Sequence, residues 1–133
     1  MACVRKEIII NANLEHVWAA LADFHAVHKR VAPGFVTDCQ PDGEARVVKF
    51  SNGTSARELL VDRDAKLRRL VYAVAGSERL KHHNASVQVF AETGGKSRLV
   101  WIADFLPNEI APYIDAQMEE ASAIMRRALA EQS

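Results

Sequence analysis

The sequence lacks net charge, and it has very few cysteines. Seventeen Lys and Arg side chains balance seventeen Asp and Glu among 133 residues. The clustered basic surface typical of nucleic-acid-binding proteins is missing. Cys3 and Cys39 are the only cysteines, and they lack the spacing of a metal site or a disulfide framework. We therefore expect two reduced thiols, no bound metal and no nucleic-acid partner.

Membrane, export and common catalytic signals are missing as well. No apolar run approaches the about 18 residues needed for a membrane span. The opening segment MACVRKEIII has charge before an apolar run too short for a signal peptide. Neither a GxSxG nucleophile motif nor a phosphate-binding glycine loop occurs, and no cofactor is indicated. We expect a cytoplasmic protein without an integral membrane segment, and homodimer formation stays open.

The composition and the first segments indicate one globular domain over residues 1–133. Hydrophobic residues make up 49% of the chain, enough for its own core. VRKEIIINA (4–12) predicts a first strand. Asn13, or alternatively Asn11, would cap a helix in LEHVWAALADF, whose apolar residues recur at helical spacing. HAVHKRVA predicts a second short helix or a kinked extension, ended by Pro33-Gly34.

Six further strands and a long helix follow. The strands are predicted between turn signals, among which Asn52-Gly53 suggests a type I′ hairpin turn. They are FVTDC, ARVVKF, TSARELLVD, LRRLVYAVA, HHNASVQVFAE and SRLVWIADF. An apolar stripe from Ile110 to Leu129 predicts the helix, capped by Asn108 or beginning at Pro112. This order predicts an α+β fold, in which a curved seven-stranded antiparallel sheet wraps the C-terminal helix. Such a sheet can leave an internal cavity, with residues 21–35 at its mouth.

Several stretches resemble a known family. INANLEHVWAALADFHAVHKRVAPGF, the pattern R46…NG…E58-L-L…D64…Y72, and VWIADF at 100–105 are similar to polyketide cyclase/dehydrase-like proteins of the START and birch-pollen-allergen (SRPBCC) superfamily. The resemblance covers essentially the whole chain and implies a helix-grip fold with an apolar ligand cavity. The family often has a Trp-Pro-like pair where VAPGF stands, so Val31 or Ala32 leaves less aromatic bulk there.

Strand alternation selects the side chains that face the interior. Tyr72, His83, Trp101 and Phe105 fall on inward faces, as does Arg46. Glu58 is placed inward by the resemblance, because both faces of its strand are mixed. Arg46 and Glu58 would then lie on adjacent strands as a bidentate ion pair. That pair could be structural, or it could anchor a polar group of a ligand.

His25 and His28 stand three apart beside Asp23, a spacing that places the histidines on one side of a helical turn. A metal site would need a third ligand, and no other histidine has a characteristic spacing to this pair. Acid–base chemistry by His28 or His83 is a second interpretation, since histidine titrates near neutral pH. We interpret the pair as part of a lid.

The sequence thus yields a candidate site and three functions. The candidate ligand-binding residues are Phe24, His28, Arg46, Glu58, Tyr72, His83, Trp101, Phe105, Tyr113 and Met118. The first function is binding or transport of a small hydrophobic, lipid- or polyketide-like molecule. The second is a polyketide cyclase or dehydratase in which His83 or Glu58 is the acid–base and Arg46 or Tyr72 stabilises an enolate. The third is a protein-interaction module that assists chaperones.

Overall fold

A seven-stranded antiparallel sheet curves around the C-terminal helix. The structure is a computed structural model, and it describes residues 1–130. The elements are β1 (Ala2–Ile10), α1 (Leu14–Ala22), α2 (Val27–Arg30), β2 (Val36–Asp42), β3 (Ala45–Phe50), β4 (Ser55–Asp64), β5 (Arg69–Ala75), β6 (His82–Ala91), β7 (Ser97–Leu106) and α3 (Ala111–Ala128). Three 3₁₀ turns, Phe24–Ala26, Thr93–Gly95 and Asn108–Ile110, complete the order.

The strand order is β1-β7-β6-β5-β4-β3-β2. Strands β2 to β7 therefore form a meander, and β1 joins it by pairing with β7 along its whole length. This confirms the predicted helix-grip architecture. Strand β2 runs further than FVTDC and includes Pro41. The sheet tolerates this proline because β2 is an edge strand, where one side of the backbone needs no hydrogen-bond donor.

The two short helices follow β1 as predicted. Asn13 Oδ1 accepts a hydrogen bond from the His16 N–H at 2.9 Å, so Asn13 caps α1. The segment after α1 divides into the 3₁₀ turn Phe24–Ala26 and the single turn of α2. Gly34 has a φ of 87°, which only glycine adopts readily, and it turns the chain into β2.

The turn at Asn52-Gly53 is not the predicted type I′ turn. Gly53 has a φ of 89°, whereas Asn52 is not among the residues with positive φ. The Gly53 N–H donates to Phe50 O, and the Phe50 N–H donates to Thr54 O. These bonds define a longer hairpin loop with one left-handed glycine. Asn52 Oδ1 instead accepts from the Thr54 N–H and Oγ1–H, which removes the need for a left-handed Asn52.

Helix α3 begins after the 3₁₀ turn, with Pro112 in its first turn. Its buried side chains include Met118, Ala121 and Met125. Lys6 on β1 ties the helix to the sheet edge through Asp115 and Glu119, each 2.8 Å from its Nζ. Among residues 1–130, no helix is both long and apolar enough to cross a bilayer.

Candidate ligand-binding site

A pocket of about 210 Å³, called here the outer pocket, lies between the concave face of the sheet and α3. Most of its wall is apolar. The lining residues are Phe35, Phe50, Thr54, Ser55, Ala56, Glu58, Tyr72, Val74, Ser77, Arg79, Leu80, His83, Trp101, Ala103, Ile110, Tyr113, Ile114, Gln117 and Met118. The rim consists of the exposed residues Thr54, Ser55, Arg79 and Tyr113. We call this rim the mouth.

Three elements meet at the mouth. Asn52 in the β3–β4 loop donates from Nδ2 to Tyr113 Oη at 3.0 Å. The Arg79 guanidinium, from the β5–β6 loop, lies 5.0 Å from the centre of the Tyr113 ring. Both loops are thereby joined to the first turn of α3, and the mouth has a defined shape.

Glu58 lines this pocket and forms a buried ion pair with Arg46. The two residues are directly opposite each other on β3 and β4, and Arg46 Nε donates to Glu58 Oε1 at 2.8 Å. Arg46 Nη1 donates to the Phe24 carbonyl, and its guanidinium lies 3.9 Å from the centre of the Phe24 ring. Arg46 is 5% exposed and Glu58 7% exposed. The predicted pairing of Arg46 with Glu58 is therefore present. The predicted bidentate geometry is wrong, because a single hydrogen bond joins the two side chains and Arg46 Nη1 binds the Phe24 carbonyl instead.

Glu58 keeps one carboxylate oxygen for another partner. Its Oε2 accepts no hydrogen bond from the described residues. Among residues 1–130, His28 Nδ1 is the only buried side-chain polar atom without a hydrogen-bond partner. Glu58 Oε2 is thus accessible, and Glu58 lines the outer pocket. The pocket therefore offers a hydrogen-bond acceptor.

Tyr72 presents a donor to the same space. The Trp101 Nε1–H donates to Tyr72 Oη at 3.0 Å, and the tyrosine's own proton has no acceptor among the described residues. Burial raises the pKa of Tyr72, and nearby Glu58 acts in the same direction. The hydroxyl therefore stays protonated at physiological pH and has a proton that it can donate.

His83 is held in one tautomer. The hydrogen-bonded ladder between β5 and β6 reaches only as far as Tyr72 and Ala85, and the Val74 N–H beyond it donates to His83 Nδ1 at 3.3 Å. Burial lowers the pKa of His83, which favours the neutral ring. Because Nδ1 accepts a hydrogen bond, the proton of the neutral ring resides on Nε2. His83 is accordingly a donor toward the pocket.

A second pocket of about 80 Å³, called here the inner pocket, lies deeper. It is covered by Leu21 of α1, Val27 of α2, and Val31, Ala32 and Phe35 of the following turn. Residues 21–35 therefore cover the inner pocket. The prediction that this segment forms the mouth is wrong for the outer pocket. The exposed rim of that pocket is formed by the β3–β4 loop, the β5–β6 loop and α3.

The predicted site residues divide by location. Glu58, Tyr72, His83, Trp101, Tyr113 and Met118 line the outer pocket, and Arg46 lines the inner one. Phe24, His28 and Phe105 line neither pocket. The Phe24 ring is covered by the Arg46 guanidinium. Phe105 is fully buried in the core, and His28 is half-buried on α2.

The histidine pair in the short helices is not arranged as a metal site. His25 Nε2 is 3.0 Å from the Ala45 carbonyl, which occupies that nitrogen. Asp23 Oδ2 is engaged by Arg30 Nη1 at 3.0 Å. Within residues 1–130 no group of three His, Cys, Asp or Glu side chains could hold a metal ion.

Several lining residues carried no sequence signal. Arg79 and Leu80 lie in the segment GSERL, whose composition indicates only a turn. Ile110, Ile114 and Gln117 belong to the apolar stripe of α3, which does not distinguish a pocket wall from solid packing.

Comparison with known proteins places this geometry in a family. The family model described as "Polyketide cyclase / dehydrase and lipid transport" matches residues 1–132. The chain belongs to this family. The predicted resemblance to polyketide cyclase/dehydrase-like proteins is thereby confirmed. The comparison with curated proteins gave no significant match.

Several proteins of known structure share the fold of this polyketide cyclase/dehydrase family protein. An uncharacterised protein from Bacillus thuringiensis is similar with a TM-score of 0.86 and 17% identity, over 96% of this chain and 98% of the other. A protein from Thermobifida fusca has a TM-score of 0.79 and 28% identity, over 97% and 91%. A truncated norcoclaurine synthase from Thalictrum flavum has a TM-score of 0.77 and 12% identity, over 99% and 95%.

Proposed function

We propose that this protein, acting as one domain over residues 1–133, binds a small and mainly apolar molecule in the outer pocket. One observation carries the proposal: an apolar wall surrounds three polar groups that each retain an unused hydrogen-bonding function. These are Glu58 Oε2, Tyr72 Oη–H and His83 Nε2–H. Few convergent polar groups in a mostly apolar cleft are typical of small-molecule sites.

The apolar wall would supply most of the affinity. Each methylene group transferred from water into such a surface contributes about 0.8 kcal/mol. Ile110 of the 3₁₀ turn and Ile114 and Met118 of α3 line the pocket. So do Val74, Trp101 and Ala103 of the sheet. The flexible thioether of Met118 can adapt to ligands of different shape.

The polar groups would select the ligand's functional groups. Tyr72 and His83 both donate, so they suit a carbonyl or ether oxygen. Glu58 Oε2 accepts, so it suits a hydroxyl or another donor. A ligand lacking these groups would leave partly buried polar atoms unpaired, which costs about 1–3 kcal/mol for each atom. Orientation therefore follows from the same groups that give selectivity.

A second candidate function is cyclisation or dehydration of a polyketide-like substrate, favoured by the family assignment and by the open Glu58 oxygen. Glu58 Oε2 would remove a proton beside a carbonyl, and Tyr72 and His83 would donate to the enolate oxygen. His83 is a weaker candidate for the base, because its Nδ1 is occupied by the Val74 N–H and its Nε2 carries the proton. The chaperone-assisting alternative has no concentrated apolar surface to support it among the described residues. There the large exposed apolar side chains lie on separate elements, as Ile9, Val47, Val61 and Leu67 do.

The first test is native mass spectrometry of the purified protein, followed by organic extraction and identification of any retained molecule. Ala56→Phe fills the outer pocket, and Ala73→Phe, on the opposite face of the sheet, is the matched control. We expect a bound molecule at close to equal stoichiometry in wild type and Ala73→Phe, and its loss in Ala56→Phe. Retention by Ala56→Phe would place the molecule elsewhere and contradict the proposal.

The same molecule separates the two candidate functions. A binder returns it unchanged after incubation, and His83→Ala or Glu58→Gln alters only its affinity. An enzyme converts it, with loss of water or ring closure, and Glu58→Gln lowers the turnover by about 10²–10⁴-fold while the fold stays intact.

A further inference from the structure

The two pockets share one wall. Five residues line both of them: Phe35, Phe50, Glu58, Tyr72 and Trp101. The remaining wall of the inner pocket is almost entirely aliphatic, with Arg46 as its polar member. The two pockets are therefore neighbours with these five side chains as their common wall, which we call the partition.

The partition consists of two aromatic pairs and a carboxylate. Tyr72 and Trp101 are joined by their 3.0 Å hydrogen bond, which spans the concave face because β6 lies between β5 and β7. Phe35 and Phe50 meet with ring centres 5.6 Å apart and no directional bond. Separating the first pair would expose a donor and an acceptor in surroundings of low dielectric, where unpaired polar groups are unfavourable. The Tyr72–Trp101 pair is thus the part of the partition that is harder to separate.

We propose that the inner pocket is a binding compartment for the apolar tail of a ligand, and that the Tyr72–Trp101 hydrogen bond decides how long that tail is. The proposal rests on the proposed function, because the head of the ligand must occupy the outer pocket. A tail that fits the outer pocket binds without disturbing the partition. A longer tail gains contacts only where the bond opens. The ligand class is a compact polar head with a short alkyl or acyl tail, and Tyr72 and Trp101 determine specificity for its length.

The arrangement on the inner side supports a tail rather than a second polar group. Arg46 faces this pocket, but its Nε and Nη1 are already bound to Glu58 and the Phe24 carbonyl. Leu21, Val31 and Met125 supply aliphatic wall from three separate segments. An alkyl chain would find dispersion contacts along this aliphatic part of the wall.

The test is isothermal titration calorimetry with straight-chain alcohols from n-pentanol to n-dodecanol. In wild type we expect the Kd to fall about fourfold for each added methylene, up to a breakpoint where the outer pocket is filled. Tyr72→Phe removes the hydrogen bond while keeping the ring. We expect its breakpoint to move to chains about two or three carbons longer. The inner pocket has a volume of 80 Å³, and a methylene group occupies about as much space as a water molecule in the liquid, about 30 Å³.

Three further variants make the result specific. Ala73→Phe lies on the opposite face of the sheet, lines neither pocket and should leave the breakpoint at the wild-type length. Adding Ala121→Val to Tyr72→Phe narrows the inner pocket and should return the breakpoint toward wild type. Trp101→Phe removes the donor of the same bond, and it serves where Tyr72→Phe does not unfold cooperatively.

Each outcome has one meaning. A shift in the Tyr72 or Trp101 variant, reversed by Ala121→Val, supports the inference. Identical breakpoints in wild type and variant, or no breakpoint in wild type up to n-dodecanol, would overturn it while leaving the proposed function intact. Failure of every alcohol to bind wild type would count against the proposed function itself, and the inference would fall with it.

Discussion

Replacing Glu58 by Gln tests whether the buried ion pair holds β3, β4 and the segment after α1 together. The substitution removes the negative charge but keeps the shape. Arg46, 5% exposed, would retain its hydrogen bond to the Phe24 carbonyl and its contact with the Phe24 ring. Its positive charge would then be buried without a counter-charge, and for that reason we expect a large loss of stability.

The magnitude follows from the geometry. Removing one partner of a buried pair costs about 3–5 kcal/mol. We expect the lower end, about 3 kcal/mol, because a glutamine oxygen can still accept from Arg46 Nε and the ring contact persists. A domain of this kind has about 5–15 kcal/mol of stability in total. Glu58→Gln should therefore fold, with a folding equilibrium constant lowered by about 160-fold.

Urea unfolding at neutral pH measures this difference. The matched control is Asp42→Asn, which breaks the pair of Asp42 and Arg57 at a similar 2.9 Å but with side chains 54% and 47% exposed. Exposed pairs contribute about 0–1 kcal/mol. The double variant Arg46→Met with Glu58→Leu removes both charges and should lose less than Glu58→Gln alone. Equal losses in Glu58→Gln and Asp42→Asn would refute the reasoning.

Three further predictions concern single residues. Burial lowers the pKa of His83 in the folded state, so below about pH 6.5 the unfolded state binds more protons and the wild-type protein loses stability. His83→Gln should reduce this loss, measured by urea unfolding between about pH 7 and 5. Equal losses in wild type and variant would contradict the prediction. Asn13→Ala removes the cap of α1 and should lower the free energy of unfolding by about 1 kcal/mol, whereas Asn11→Ala, which removes no cap, should be close to neutral. Gly53→Ala places a Cβ at a φ of 89° with open space around it, so thermal melts should show a loss of about 1 kcal/mol from backbone strain alone.

Strand faces were predictable because alternation is a local property. Tyr72, His83 and Trp101 face the interior, as the pattern of every second residue indicated. Depth along the strand was not predictable in the same way. Trp101 and Phe105 share a face of β7, yet Trp101 lines a pocket and Phe105 is fully buried. That difference depends on the curvature of the sheet and the position of α3, which involve residues far apart in sequence.

The mouth was misplaced for a related reason. Residues 21–35 were predicted to form the mouth because two histidines and Pro33-Gly34 are conspicuous features of the sequence. The observed rim uses Thr54, Ser55, Arg79 and Tyr113, which are ordinary loop and helix residues. They meet only because the β3–β4 loop, the β5–β6 loop and the start of α3 converge in space. The Asn52 to Tyr113 hydrogen bond joins positions sixty-one residues apart, and no local pattern predicts such a contact.

The chemical role of His83 shows the limit most sharply. Alternation placed the ring inward, and its unperturbed pKa made it a candidate base. What decides between base and donor is the Val74 N–H, a backbone group left outside the β5–β6 ladder. Every residue except proline has a backbone N–H. The pattern of side chains therefore gives no information about which N–H lies outside the strand pairing. The placement of the His83 proton on Nε2 therefore follows from where the two strands diverge.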